Sequence, residues 1–332
     1  MEWITKTLER IIPEIRIFKR HLLLDRPIYK CIFKIQSTIL KAARDFLYKK
    51  GFIELLAPVI APVTDPGIRL AHEFYVDFYG TKAVLTTSAI LYKMAGLKIH
   101  DKIFYVAPNL RIEPMRLDSF ERTLSEFRQI DIEMAHAERE DIMRLSEELL
   151  IHIIEEVKRR NSDELSYLDR DLKVPRRPFK VIKFSEAVEI AKEAGYKLES
   201  TGELSKEAED YLSKIHEEPF WIIDYPATAR GFYYKKKDKS VLFDMDLIYP
   251  EGFGEAASGG EREVDPIKVR ERMLETNVDP RKYIWFFELL YSGVPPCAGI
   301  GFGIERLTRY ITGVREIIDA IPFPKTPGYL GI

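Results

Sequence analysis

The spacing of hydrophobic and polar positions predicts two long helices followed by shorter ones. From Arg26 to about Lys50, apolar side chains recur every three or four residues, which is typical of an amphipathic helix, and Gly51 is a stop signal. The same period runs from Ile142 to Val157 and predicts a second long helix. Further helices are predicted near 89–98, 185–194, 204–215 and 263–276, and a final helix after GIGFGIER (299–306). A short amphipathic helix is also predicted within residues 1–25.

Strands are predicted where apolar residues form short runs or alternate with polar ones. In chain order they are FIELLAPVIAP (52–62), KAVLTTS (82–88), KIFYVAPNLRIE (102–113), LSEFRQIDIEMAHA (124–137), FWIIDYP (220–226) and SVLFDMDLIY (240–249). Ser88 is placed to cap the helix that follows it. Because many of these strands are neighbours joined by short polar segments, the pattern favours an α+β fold with a mostly antiparallel sheet.

The strand EFRQIDIEMA (126–135) separates its side chains into two faces. Alternation with a period of two places Ile130, Ile132 and Met134 on one face. The other face carries Phe127, Gln129, Asp131 and Glu133. Arg111 and Glu113 share a face of the preceding strand in the same way. For a single strand, a solvated surface with salt bridges explains this pattern. A third charged segment, GEAASGGERE (254–263), favours a site for a charged ligand.

Composition describes an ordinary folded chain and weakens some function classes. Of 332 residues, 46% are hydrophobic and 31% are charged, and the net charge is -2. A nucleic-acid binder usually shows a basic excess. Two cysteines, Cys31 and Cys297, form no disulfide framework, and no apolar run approaches the length of a membrane span. These observations predict a cytoplasmic globular protein.

The glycine-rich segment AGIGFGIERLTRY (298–310) connects a strand to a helix. It is not a dinucleotide fingerprint, because the third glycine would be needed at Ile304. Glu305 and Arg306 fall in the first turn of the helix. Two explanations fit this motif equally well. It could be a tight turn with an arginine on the surface, or the glycines could let a flat ligand come close to the backbone.

In this order, GFIELLAPVIAP, NLRIE with RTLSEFRQIDIEM, and GIGFGIER resemble the three motifs of class II aminoacyl-tRNA synthetases. The resemblance is closest to the aspartyl/asparaginyl subgroup and, within it, to archaeal asparagine synthetases related to asparaginyl-tRNA synthetase, which have no anticodon-binding barrel. It implies an antiparallel sheet flanked by helices. Residues 1–25 are then expected to be a helical extension and residues 26–332 the catalytic domain. A homodimer through the first motif, at Pro58, is also implied.

The resemblance further implies a site for ATP, Mg²⁺ and an amino acid. Arg111 would hold the α-phosphate, Arg122 would meet the phosphates, and Arg306 would cover the adenine ring. The remaining nucleotide contacts are expected from Glu113, Phe127 and Gln129, and the magnesium ligands from Glu255, Ser258 and Asp246. The amino acid would contact Ser88, Lys93, Asp131 and Arg262.

Two cations near the amino acid, Lys93 and Arg262, predict the dianionic substrate aspartate. An uncharged amide would leave a buried lysine without a counter-ion. The chain also departs from the family pattern, since Cys297 stands where a histidine is usual and Ala89-Ile90 stand in place of Pro-Gln.

Three functions are compatible with these residues. The first is an ammonia-dependent asparagine synthetase, with aspartate, ATP and ammonia as partners. The second is the catalytic core of an aspartyl/asparaginyl-tRNA ligase, and the third is a regulatory paralogue without catalysis. Near-neutral charge and the missing barrel favour ammonia over tRNA as the acceptor, so tRNA is expected to be an unlikely partner.

Overall fold

The computed structural model describes residues 13–65, 72–115, 119–198 and 202–331. Its strands are β1 (Ile53–Glu54), β2 (Ile60–Ala61), β3 (Tyr75–Phe78), β4 (Thr81–Leu85), β5 (Lys102–Leu110), β6 (Glu126–Ala135), β7 (Lys180–Lys183), β8 (Phe220–Ile223), β9 (Asp244–Tyr249), β10 (Gly254–Glu261), β11 (Cys297–Gly303), β12 (Lys325–Thr326) and β13 (Tyr329–Leu330). Its α-helices are α1 (Pro13–Phe18), α2 (Pro27–Lys49), α3 (Ile90–Gly96), α4 (Ser119–Arg122), α5 (Arg139–Arg160), α6 (Ser162–Tyr167), α7 (Phe184–Glu193), α8 (Lys206–Ile215), α9 (Pro266–Glu275), α10 (Ile284–Tyr291) and α11 (Ile304–Thr312).

A large sheet with the strand order β1-β5-β6-β11-β10-β9-β8-β7 organises these elements. The inner pairs are antiparallel, and the two edge pairs, β1 with β5 and β7 with β8, are parallel. The predicted α+β class with a mostly antiparallel sheet is therefore confirmed. Strand β6 lies between β5 and β11, with Asp131 opposite both Tyr105 and Gly301.

Helices α2 and α5 pack together and cover the apolar face of this sheet. Ile35 and Ile39 from α2 and Ile153 from α5 join Ile130 and Ile132 of β6 in one buried cluster. Each fully buried side chain of this size contributes about 1.5–3 kcal/mol. The predicted alternation along β6 is thus correct, and the polar face lies away from these two helices.

The segment 52–62 differs from the single strand that the sequence predicts. It forms β1 in the large sheet and then β2 in a three-stranded sheet with β4 and β3. Pro58 and Pro62 lack the backbone N–H that a continuous ladder needs, so the apolar run cannot form one inner strand. Helix α10 had no predicted counterpart, because its sequence IWFFELLY is apolar nearly all round and has no clear period.

The described part of residues 1–25 is tied to the C-terminal segment. Arg16 donates to Asp319 at 2.6 Å and to Glu316 at 2.5 Å, and Arg20 donates to the carbonyl of Ile318 at 2.5 Å. The first twelve residues of the predicted extension lie outside the described residues, and its boundary at residue 26 stays a prediction. Across the described ranges, none of the helices is both long enough and apolar enough to cross a membrane.

Candidate active site

A cleft of about 310 Å³ lies over the polar face of the large sheet. It is lined by every predicted site residue except Asp246: Ser88, Lys93, Arg111, Glu113, Arg122, Phe127, Gln129, Asp131, Glu255, Ser258, Arg262 and Arg306. A wider groove of about 710 Å³, bordered by Asp169, Arg170, Asp171, Lys173 and His216, contains none of them. The smaller cleft is the candidate active site because the chemistry predicted from the sequence converges there.

Four buried charges cluster at one end of the cleft, and three of them, Lys93, Asp131 and Arg262, line it. Lys93 Nζ lies 3.0 Å from Asp131 Oδ1 and 3.5 Å from Glu133 Oε2. Arg262 donates to the two carboxylate oxygens of Glu133 at 2.8 and 3.1 Å. None of the four residues is more than 2% exposed. We call Lys93, Asp131, Glu133 and Arg262 the charge quartet.

The charge quartet is balanced, which corrects the argument that led to aspartate. An uncharged amide would not leave Lys93 without a counter-ion, because Glu133 and Asp131 already serve it. The sequence placed Glu133 on the polar face of β6, but it was given no role. Its two-residue spacing from Asp131 was the available signal.

Two polar atoms of the quartet are buried without a hydrogen-bond partner among the described residues. They are Asp131 Oδ2, an acceptor, and Arg262 Nη1, a donor. Leaving such a group unsatisfied costs about 1–3 kcal/mol. A ligand that donates to Asp131 and accepts from Arg262 would recover this cost.

Glycines of β11 make room for the carboxylates of β6. A Cβ at Gly299 would lie 2.0 Å from Glu133 Oε2 and 2.3 Å from the carbonyl oxygen of Ile132. One at Gly301 would lie 2.8 Å from Asp131 Oδ1. The glycines therefore allow the carboxylates to lie across the neighbouring strand.

The paired glycines of β10, Gly259 and Gly260, lie where a side chain would not fit. A Cβ at Gly259 would lie 2.4 Å from the carbonyl oxygen of Gly299, and one at Gly260 would lie 2.6 Å from that of Phe243. Both glycines serve the close packing of β10 between its neighbours.

Arg111 and Phe127 stand together at the other end of the cleft. Arg111 follows β5, and its Nε donates to the carbonyl of Thr87 at 3.0 Å. Its guanidinium carbon lies 5.1 Å from the centre of the Phe127 ring, within cation–π distance. Gln129 is oriented by accepting from Asn109 Nδ2 at 2.8 Å. This end presents a cation beside a flat aromatic surface.

A β-bulge brings Glu255 and Ser258 to the same side of β10. Residues three apart on a regular strand point to opposite faces, but the pairing of β10 with β9 shifts between Glu255 and Ala257. Both side chains consequently line the cleft. Glu255 lies 3.2 Å from Arg306 Nη1, which links β10 to the first turn of α11.

Asp246 does not join Glu255 and Ser258 at the cleft surface. It is 2% exposed, and its Oδ2 accepts from Arg230 Nη2 at 2.5 Å. Arg230 also lies 3.3 Å from Asp244, whose pKa burial raises to about 7. The predicted use of Asp246 as a magnesium ligand is therefore not supported, because its carboxylate belongs to a buried ion pair.

Glu305 joins the start of α11 to β6. Its carboxylate accepts from the backbone N–H of Arg128 at 3.0 Å, and burial raises its pKa from 4.5 to about 7. A raised pKa means that the folded protein holds this proton more tightly than the unfolded chain does. The resulting stabilisation is present below pH 4.5 and is lost as the pH rises to about 7.

The sheet topology and the cleft together are those of the catalytic domain of class II synthetases, a fold in which helices flank a mostly antiparallel sheet. The chain belongs to the family described as tRNA synthetases class II (D, K and N), which matches residues 12–327. The resemblance inferred from the three motifs is thereby confirmed, and the protein belongs to a family of ATP-dependent ligases.

Individual relatives agree with this assignment. An aspartate–tRNA(Asp/Asn) ligase of Sulfurisphaera tokodaii is 33% identical over 314 residues, 93% of this chain and 71% of the relative. An asparagine–tRNA ligase of Pyrococcus horikoshii is 32% identical over 328 residues, 97% and 74% of the two chains. The crystal structure of the asparaginyl-tRNA synthetase from P. horikoshii with asparaginyl-adenylate superposes with a TM-score of 0.91 at 30% identity, covering 98% of this chain and 75% of that one.

These relatives overturn the choice of acceptor made from the sequence. They are ligases for tRNA, so the hypothesis of an ammonia-dependent asparagine synthetase is wrong, as is the expectation that tRNA is an unlikely partner. The error came from near-neutral net charge and chain length. Net charge averages over the whole surface and does not report on a local acceptor site.

Proposed function

We propose that this protein is an aminoacyl-tRNA ligase that activates aspartate or asparagine with ATP and transfers it to tRNA. The observation that carries the proposal is that two buried atoms of the charge quartet, Asp131 Oδ2 and Arg262 Nη1, have no hydrogen-bond partner among the described residues, while both residues line the cleft. An amino acid of this class offers an ammonium group to the first and a side-chain oxygen to the second. ATP and tRNA as substrates favour a cytoplasmic location.

The balanced quartet bears on the choice between the two amino acids. The carboxamide of asparagine adds no net charge to Lys93, Asp131, Glu133 and Arg262. The side chain of aspartate would have to compete with Glu133 for Arg262 or Lys93 to obtain a counter-ion. Parallel assays with both amino acids decide between them.

The nucleotide is proposed to occupy the end of the cleft with Arg111 and Phe127. The Phe127 ring provides a surface for adenine, with Arg306 on the opposite side and Glu113 and Gln129 at the edge. Guanidinium groups suit both the stacking on a planar base and the phosphate contacts.

Magnesium is proposed to bind Glu255 and Ser258. In the described part of the chain, no three His, Cys, Asp or Glu side chains converge as a metal site. That agrees with magnesium, which commonly binds one or two carboxylates and completes its shell with water and substrate phosphates. Bound there, the ion would neutralise phosphate charge.

The proposed chemistry has two steps. A carboxylate oxygen of the amino acid attacks the α-phosphorus, a P–O bond forms, and the bond to the β-phosphate breaks to release pyrophosphate. Arg111 stabilises the charge that develops on the α-phosphate oxygens. In the second step a hydroxyl of tRNA attacks the carbonyl carbon of the adenylate and AMP leaves. Asp131 and Arg262 keep the amino acid oriented throughout.

The test measures two reactions with the purified protein. Amino-acid-dependent exchange of pyrophosphate into ATP reports activation, and labelled aspartate or asparagine bound to tRNA reports transfer. Arg111→Ala should slow the exchange about 10²- to 10³-fold, because it removes a donor from the transition state. Arg128→Ala is the matched control, since Arg128 lies on the neighbouring strand and its side chain is half exposed and pairs with Glu126 at 3.1 Å.

Charging of tRNA with either amino acid, lost in Arg111→Ala and kept in Arg128→Ala, supports the proposal. Absence of exchange with both amino acids would overturn it. Release of free asparagine from aspartate and ammonium, with tRNA left uncharged, would overturn it as well.

A further inference from the structure

Three arginines surround the turn between β9 and β10. Each donates to a different backbone carbonyl of that turn or of the start of β10: Arg122 to Gly252 at 3.0 Å, Arg309 to Phe253 at 3.3 Å and Arg306 to Glu255 at 3.1 Å. All three arginines line the cleft. Arg306 and Arg309 are three residues apart on α11 and so share one face of the helix.

Arg309 differs from the other two in its counter-ions. Arg122 pairs with Asp210, and Arg306 lies 3.2 Å from Glu255. Arg309 is only 7% exposed, yet none of the described carboxylates lies within 4.0 Å of its guanidinium. Glu121 and Glu209 act on it from a longer distance. A buried charge without a close partner is costly in a folded protein.

The surroundings of Arg309 favour an added negative charge. Burial, Arg122 and Arg306 lower the pKa of Arg309, although an arginine keeps its proton at neutral pH. Two backbone bonds fix the group: Nε donates to the carbonyl of Arg315 at 2.5 Å and Nη1 to that of Phe253. Nη2 makes no hydrogen bond to a described residue, and Arg309 is one of the residues that line the cleft.

We propose that Arg309 binds the terminal phosphates of ATP, and the pyrophosphate that leaves, in a site it forms with Arg122 and Arg306. The inference rests on the proposed function, which assigns phosphate contacts to Arg122 but none to Arg309. Arg122 and Arg306 already lie close to Asp210 and Glu255, so the charge that a ligand would compensate here is that of Arg309. A diphosphate group carries several charges and presents the oxygen pairs that the guanidinium fork binds.

The test compares the binding of ATP, pyrophosphate and AMP by calorimetry. Arg309→Met should weaken ATP and pyrophosphate binding about 10- to 100-fold, the usual effect of losing a hydrogen bond to a charged group. AMP lacks the terminal phosphates, so its affinity should stay unchanged. Arg315→Met is the matched control, because Arg315 is exposed and contributes its backbone carbonyl rather than its side chain.

A second variant separates charge from structure. Arg309→Gln keeps a donor for the backbone carbonyls but has no charge, so it should lose pyrophosphate affinity as Arg309→Met does. Unchanged ATP and pyrophosphate binding in both variants would overturn the inference, as would an equal loss of AMP binding. Wild-type protein that binds none of the three ligands would instead overturn the proposed function.

Discussion

The glycines of β11 provide a graded test of how the charge quartet is accommodated. Alanine is introduced separately at Gly299, Gly301 and Gly303. At Gly299 the new Cβ would lie 2.0 Å from Glu133 Oε2 and 2.3 Å from a backbone oxygen of β6, and neither can move freely. At Gly301 it would meet the side chains of Asp131 and Gln129 at 2.8 and 3.0 Å. At Gly303 its nearest neighbour is the Arg306 side chain at 3.5 Å, an ordinary contact.

The expected losses of unfolding free energy follow from these contacts. Gly299→Ala must push Glu133 away from Arg262 and Lys93, and breaking a buried ion pair costs about 3–5 kcal/mol. Gly301→Ala is overpacking against side chains, at about 1–3 kcal/mol. Gly303→Ala is the matched control: its backbone has a φ of -67°, and a change at this helix-capping position should cost less than about 1 kcal/mol.

Urea unfolding followed by circular dichroism measures the three losses, and calorimetry with asparagine and aspartate measures the site. We expect Gly299→Ala to lose amino-acid binding and Gly303→Ala to keep it. Equal urea midpoints for Gly299→Ala and Gly303→Ala would refute the reasoning. So would undiminished amino-acid affinity in Gly299→Ala.

Three other predictions concern charge, pH and assembly. Lys93→Met removes the cation shared by Asp131 and Glu133, so amino-acid binding should weaken by about 2–5 kcal/mol while ATP binding changes little; equal amino-acid affinity in calorimetry would contradict this. Glu305→Gln removes a carboxylate whose ionisation opposes folding. The unfolding free energy of this variant, relative to that of the wild type, should therefore increase by up to about 3 kcal/mol between pH 4.5 and 7. A difference that does not vary with pH in urea titrations would rule out the raised pKa. The dimer through the first motif stays a prediction, and Leu56, which is 96% exposed and close to Pro58 in the sequence, is expected at its interface. The wild type should sediment as a dimer and Leu56→Glu as a monomer. A monomeric wild type would exclude this dimer.

From the sequence alone, several of the strands and helices that carry the site could be predicted, together with the face of β6 on which its site residues lie, whereas residues 254–263 were not assigned to a strand. Alternation along β6 is a local property with a period of two, so Phe127, Gln129 and Asp131 could be assigned to one face without knowing their neighbours. The glycines before Arg306 were visible in the same way. The family resemblance added the chemical roles, since alternation gives a position but no function.

The sequence could not supply the partners of those residues. Glu133 and Arg262 are 129 residues apart, and their contact depends on β10 and β6 both pairing with β11 in the observed register. Because this contact joins residues that are distant in sequence, the sequence did not show that Glu133 neutralises the two cations. Aspartate was therefore predicted as the substrate.

Only the tertiary structure decided which charges are balanced and which are not. The bulge in β10 places Glu255 and Ser258 on the same side, whereas Asp246 is bound to Arg230. Arg309 follows Arg306 by one helical turn, and this spacing does not distinguish a buried arginine from an exposed one. The turn between β9 and β10 buries it beside two other arginines without a close carboxylate. Burial and ion pairing depend on segments that are distant in sequence, and local periodicity carries no information about those segments.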